Sequence, residues 1–178
     1  SAAGTFDGSA RNGNRFDFDI DPGAAIMIGD ETKLRQCLLN LLSNAFKFTR
    51  EGQVSLGVAA YSESGSEKIR FTVKDTGPGI AQEQLANIFE PFTQGDGSAI
   101  RQFGGSGLGL AVTRRLVRLM GGEVRAASIQ GKGSTFSIEL PRELPRKAEQ
   151  EAAFGEDGSA AGPEAHERVA LVIDDDEA

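Results

Sequence analysis

The sequence predicts a two-layer α/β sandwich, and three observations carry that prediction. Five strand-like runs, at residues 15–20, 53–60, 68–75, 123–128 and 134–140, are interleaved with segments of helical apolar periodicity. Amphipathic helices placed between strands must bury their apolar stripes against a sheet. Two glycine clusters then mark the end of one strand and the start of one helix, where backbone approaches a ligand most closely. With 178 residues and 39% hydrophobic content, the chain can bury one core and scarcely two.

The first long helix is predicted over residues 30–49, with Asp30 as N-cap and Leu34, Leu38, Leu41, Leu42 and Ala45 on one face. Asn40, Asn44 and Lys47 share the other side, at spacings of four and three residues. Two carboxamides and an ammonium in one stripe suit a magnesium ion and the phosphates attached to it, although a solvated helix face can carry the same residues.

The strand at residues 68–75 runs into Asp75-Thr76-Gly77-Pro78-Gly79-Ile80. A carboxylate fixed at a strand end, followed by glycines that admit a flat ligand, can accept hydrogen bonds from an exocyclic amine such as that of adenine. An ordinary turn uses the same residue types. A short helix follows near residues 82–89. Next comes a stretch rich in glycine and small polar residues at 93–104, and then Gly104-Gly105-Ser106-Gly107-Leu108-Gly109-Leu110-Ala111. This second cluster opens a helix over residues 108–120 that Gly121-Gly122 closes, so free amides and the positive end of the helix dipole favour an anion there. No Gly-x-x-x-x-Gly-Lys-Ser/Thr occurs in the chain, and Leu110 stands where the third glycine of a dinucleotide fingerprint belongs. A different nucleotide fold is required.

In this order the elements resemble the ATP-binding catalytic domain of bacterial sensor histidine kinases, in the superfamily shared with DNA gyrase and the mismatch-repair ATPases. The N box resembles Asn40-Leu41-Leu42-Ser43-Asn44-Ala45-Phe46-Lys47-Phe48, and the first glycine box Asp75-Thr76-Gly77-Pro78-Gly79. Ile88-Phe89-Glu90-Pro91-Phe92 is similar to the F box and Gly105-Ser106-Gly107-Leu108-Gly109 to the second glycine box. The resemblance implies a Bergerat-type fold, a mixed sheet with helices on one face, over residues 16–142.

It also implies roles for individual residues. Asp75 would bind the adenine amino group, with Gly77 and Gly79 shaping the base pocket. Asn44 would coordinate Mg2+, while Asn40 and Lys47 face the phosphates of ATP. Gly105, Gly107, Leu108 and Gly109 would hinge a lid at residues 93–104 and hold the phosphate tail. Arg101 would reach the terminal phosphate or remain a solvated loop charge. Phe89 and Phe92 would anchor the base of the lid or dock a partner domain. Hydrolytic relatives place a glutamate four residues before the Asn-Ala pair, where this chain has Asn40. An amide cannot act as general base, so transfer to a nucleophile supplied elsewhere is expected. In the family that nucleophile is a histidine on a separate dimerisation domain. A superfamily ATPase and a non-catalytic nucleotide-sensing module are the alternatives.

Residues 143–178 hold eleven acids and three Lys or Arg, whereas residues 1–142 carry a net charge of +1. No cationic surplus is available for nucleic acid. Arg114, Arg115 and Arg118 read as favourable charges near a helix C-terminus. No apolar run is long enough to span a membrane. Cys37, the single cysteine, reads as a packed thiol in a reducing compartment, the cytoplasm. The single histidine, His166, lies in a Glu/Ala/Gly-rich stretch without helical period and reads as linker.

Two departures from the family pattern are expected. Residues 1–15 are predicted to be a flexible segment in place of the usual leading helix. After an acidic linker at 143–168, residues 169–178 resemble the opening strand and acidic pair of a receiver domain, with Asp174 and Asp175 as its magnesium-binding acids. A hybrid kinase is the parent this implies.

Overall fold

A computed structural model describes residues 2–10, 12–24, 26–91, 108–143 and 168–170, the first and last of these segments by their backbone. In chain order the elements are β1 (Ala2–Ala10), β2 (Asn14–Ile20), β3 (Ile26–Ile28), α1 (Glu31–Phe48), β4 (Gln53–Glu63), β5 (Ser66–Asp75), α2 (Gln82–Leu85), α3 (Gly109–Leu119), β6 (Glu123–Ile129), β7 (Gly133–Pro141) and β8 (Arg168–Ala170). One six-stranded sheet has the order β1-β2-β4-β5-β7-β6. β2 and β4 run parallel and the other neighbours antiparallel, so the sheet is mixed. α1 and α3 pack together over one face of it. This is the predicted two-layer sandwich.

The core follows from strand alternation. In β5, Ile69, Phe71 and Val73 are buried, and their partners across the β7 ladder are Leu140, Ile138 and Phe136, buried too. Leu34, Cys37, Leu41 and Ala45 of α1 cover this stripe with Val117 and Met120. Cys37 therefore occupies the helix face centre, while Leu38 and Leu42 pack at its margin. Burial pushes the Cys37 thiol up to about 11, so it is a protonated, unreactive group at neutral pH.

Both ends of α1 are tied down. Asp30 accepts a hydrogen bond from the Lys33 main-chain N–H at 2.9 Å, the N-cap that the sequence predicts. At the other end, buried Asn14 donates from Nδ2 to the Thr49 carbonyl at 2.8 Å and to the Phe46 carbonyl at 3.3 Å, and its Oδ1 accepts from Gly52 N–H at 3.1 Å. α3 ends as predicted, with Gly121 in the left-handed region and Gly122 N–H bonded to the Val117 carbonyl.

Three elements differ from the sequence prediction. Residues 1–15 were expected to be flexible, yet β1 pairs antiparallel along β2 from Ala2↔Ile20 to Ala10↔Asn14, with a register shift between Phe6 and Ala10. An edge strand needs only main-chain partners, which β2 supplies, and Asn12 and Gly13 provide the positive φ values of the hairpin turn. The predicted helix at 82–89 stops at Leu85, with Ala86 as its C-cap, and residues 86–91 continue as turns and a bend from which Ile88 and Phe89 pack on the core. β8 begins at the last residue of the expected linker and covers the first two residues read as a receiver's opening strand; it pairs antiparallel with β3. Asp174 and Asp175 lie outside the described residues, as does His166.

Asn14→Ala is expected to destabilise the chain by about 1–3 kcal/mol, because it removes the acceptor of the Gly52 N–H and the shorter of the two side-chain bonds to the Thr49 carbonyl. A lower urea midpoint with unchanged m-value checks this.

Candidate functional site

The alternation that builds the core also places the carboxylate. Positions 69, 71, 73 and 75 of β5 share the face beneath the helices, so the apolar stripe ends in Asp75. Across the ladder Asp75 pairs with Ser134, which closes the matching stripe of β7. Asp75 is 7% exposed, and its Oδ1 accepts from Gly77 N–H at 2.9 Å and from Ser134 N–H at 3.3 Å. Burial raises the carboxyl above its ordinary range, and the two main-chain donors pull against that rise.

The loop after Asp75 is braced on the β6–β7 hairpin. Ile80 N–H donates to Ser128 Oγ at 2.8 Å, Ser128 Oγ donates to the Gly133 carbonyl at 2.9 Å, and Gly131 N–H donates to the Pro78 carbonyl at 2.7 Å. Gly79 has φ +68°, and a Cβ there would stand 2.2 Å from the Ile129 carbonyl oxygen, so glycine is required at this turn.

Gly77 faces the C-terminal end of α1. A Cβ on it would lie 3.0 Å from Asp75 Oδ1, 3.1 Å from Thr49 Oγ1 and 3.2 Å from the Phe48 carbonyl oxygen. Thr49 is fully buried, and among the described residues its hydroxyl has no hydrogen-bond partner. A desolvated hydroxyl without a partner costs free energy unless a bound group satisfies it. Gly77 therefore lets the backbone close tightly on a carboxylate and an unsatisfied hydroxyl, and a side chain there would crowd both.

Further back along α1, Asn40 meets the start of α3. Its Nδ2 donates to Thr113 Oγ1 at 2.8 Å, and a Cβ on Gly109 would lie 2.3 Å from its Oδ1. Leu108 precedes α3 as its N-cap residue. Asn44, one turn after Asn40, is half-buried, and Lys47 Nζ lies 5.0 Å from the Phe48 ring centroid. The two ends of this arrangement, Asn40 and Thr49, are about 14 Å apart along the helix axis.

The structure thus assembles Asp75, Gly77 and Gly79 at the C-terminal end of α1, and Asn40 with Gly109 at its middle. Gly105, Gly107, Arg101 and Phe92 lie outside the described residues. Phe89 packs edge-to-face on Phe136, centroids 6.4 Å apart, so it acts as an anchor to the core. Arg114, read from sequence as a dipole-stabilising charge, also pairs with Glu90 at 3.1 Å and so joins α3 to the turn before Pro91. Sequence reasoning missed Thr49, Ser134 and Thr113. Ser134 was within reach, since it lies two residues before Phe136 and must share its face.

Residues 29–144 match the family model described as histidine kinase-, DNA gyrase B- and HSP90-like ATPase (HATPase_c). The chain belongs to this family. The HATPase_c chain is 46% identical over 131 residues to the sensor histidine kinase AruS of Pseudomonas aeruginosa, a match that covers 72% of this chain and 13% of that protein. It is 45% identical over 125 residues to the peroxide stress-activated histidine kinase mak2 of Schizosaccharomyces pombe, covering 67% and 5% respectively. A crystal structure of full-length ShkA in complex with AMPPNP superposes with a TM-score of 0.60 at 39% identity, covering 73% of this chain and 26% of that one. The HATPase_c chain therefore spans a small fraction of the length of these relatives. No helix among its described residues is long and apolar enough to cross a membrane.

Because the folded-state carboxyl of Asp75 lies above its unfolded value, ionising it opposes folding, and the stability it contributes at low pH is lost as pH rises through its folded value. Asp75→Asn keeps an Oδ1 acceptor for Gly77 and removes the buried charge. The variant is expected to melt no lower than wild type at pH 7, with the difference shrinking toward pH 4 and below. Thermal unfolding across that range checks the sign.

Proposed function

We propose that the chain is the ATP-binding catalytic domain of a hybrid sensor histidine kinase, holding Mg-ATP for transfer of the γ-phosphate to a histidine on a separate dimerisation domain. The observation that carries this reading is the double engagement of α1. The C-terminal end of the helix stands beside Asp75 and the unsatisfied Thr49 hydroxyl, while its middle presses Asn40 against the start of α3. A base-binding end and a phosphate-binding stripe on one rigid element suit a nucleoside triphosphate. AMPPNP in the ShkA structure supports the same ligand class.

Both main-chain bonds to Asp75 fall on Oδ1, which leaves Oδ2 to accept from the adenine amino group. Gly77 and Gly79 keep the base pocket open, and the Thr49 hydroxyl takes a polar atom of the base or a water that comes with it. Asn44 offers a neutral oxygen to a Mg2+ that keeps most of its ligands from phosphate and water. The ion, when bound, neutralises charge on the phosphoryl oxygens. Asn40 and Lys47 line the phosphate side. Leu108 and Gly109, with Gly105 and Gly107 before them, lead the phosphate tail to the amides of α3, and Arg101 meets the terminal phosphate.

In the transfer step the bond from the γ-phosphorus to the bridging oxygen breaks and a bond to an imidazole nitrogen forms, with ADP as the leaving group. An amide at position 40 takes no proton from water, so this site favours a supplied nucleophile over hydrolysis. The receiver-like residues 169–178 point to a receiver domain of the same protein as the later phosphate acceptor, with a receiver on a partner protein as the other route. The assembly fits the cytoplasm.

Calorimetric titration of the chain with Mg-ATP is expected to show binding that Asp75→Asn weakens about 10-fold or more, since a donor then faces the adenine donor. A folded wild-type chain that binds no Mg-ATP overturns the reading. With the dimerisation domain added, phosphohistidine is expected, and Asn44→Ala is expected to abolish it. Steady ATP hydrolysis without an acceptor would replace the kinase by an ATPase.

A further inference from the structure

Two helix stripes interlock at the centre of the helical layer. On α1, Cys37 and Asn40 are three residues apart; on α3, Gly109 and Thr113 are four apart. Gly109 has no side chain and so admits the Asn40 amide, whose Oδ1 would be 2.3 Å from a Cβ at that position. One turn on, Thr113 is 1% exposed and its Oγ1 accepts from Asn40 Nδ2 at 2.8 Å. Its carbonyl oxygen is 3.9 Å from the buried Cys37 Sγ, which donates to it. Thr113 is therefore gripped at backbone and side chain by the same helix.

We propose that Thr113 is a positioning residue that fixes the rotamer of Asn40, holding one edge of its amide inside the helix interface so that the other edge faces Gly109 and the start of α3. The inference rests on the nucleotide-site reading of α1 given above. Rotation about χ1 would withdraw the amide from Thr113 and from the space that Gly109 leaves open. Held by Thr113, the amide presents its other edge at the phosphate end. Because Thr113 and Gly109 share α3, a shift of the helix start moves the bond that orients Asn40. The hydroxyl so links the phosphate-side helix to the N-box amide without touching the nucleotide.

The test uses the full chain and two readouts. In nucleotide-free wild type, the Asn40 side-chain amide protons are expected to exchange slowly with solvent and to be resolved by NMR from those of exposed asparagines. Thr113→Val removes the hydroxyl at nearly constant volume and is expected to abolish that protection. It is also expected to weaken Mg-ATP binding about 10-fold, while Thr113→Ser restores affinity to within about twofold. In an Asn40→Ala background Thr113→Val is expected to add no further loss, the signature of an effect carried through Asn40. An unprotected Asn40 amide in wild type overturns the proposal, even if the valine variant fails to fold. Unchanged affinity in a folded Thr113→Val chain, or an equal loss in the Asn40→Ala background, overturns it as well. If wild type binds no Mg-ATP, the nucleotide reading fails on its own, and the NMR arm still decides whether Thr113 holds Asn40.

Discussion

The site depends on the antiparallel pairing of β5 with β7, whose register ends two apolar stripes at Asp75 and Ser134 together. The same period-two alternation that buries Ile69, Phe71 and Val73 carries the carboxylate into the shelter of the helices. A slip of one residue would turn Asp75 to the solvated face and expose the core, so the fold cannot keep one without the other. Burial desolvates the carboxylate, and the main-chain donors of Gly77 and Ser134 to one oxygen offset part of that cost. The buried carboxylate thus carries a local cost that the surrounding hydrophobic packing absorbs.

α1 transmits that constraint across the layer. Asp30 fixes its beginning, and Asn12 and Asn14 hold its last carbonyls, with Asn12 Nδ2 donating to Phe46 at 3.1 Å. A helix held at both ends keeps Asn40 and Thr49 at a set separation, which a loop could not. The contact of Asn40 with Gly109 and Thr113 then registers α3 against α1 at the point where α3 begins. Polar contacts at this interface position side chains, and the packing of Cys37, Leu41 and Val117 supplies the cohesion.

Local signals in the sequence survive almost unchanged in the structure. The Asp30 cap, the Asp75 strand end and the Gly121 helix stop each act within a few residues, and tertiary contacts reinforce them. Predictions failed where the partner was distant or the sequence bland. β1 has no apolar pattern of its own and exists because β2 offers main-chain partners, while the Asn12-Gly13 turn was its one legible mark. The helix at residues 82–89 was overextended because Ile88 and Phe89 continue its apolar spacing, although they reach the core from turns.

The sequence by itself determined the family, the two-layer fold and the residues Asn40, Asn44, Asp75, Gly77 and Gly79 as candidates, because short motifs and periodicity encode local geometry and residue chemistry. Only the tertiary structure decided that Thr49 is buried without a partner beside Gly77, that Ser134 supports Asp75, and that Thr113 orients Asn40. Each of these joins residues from different elements, with Thr113 lying 73 positions from Asn40. Such contacts follow from the packing of helix on helix and strand on strand, which no local pattern specifies.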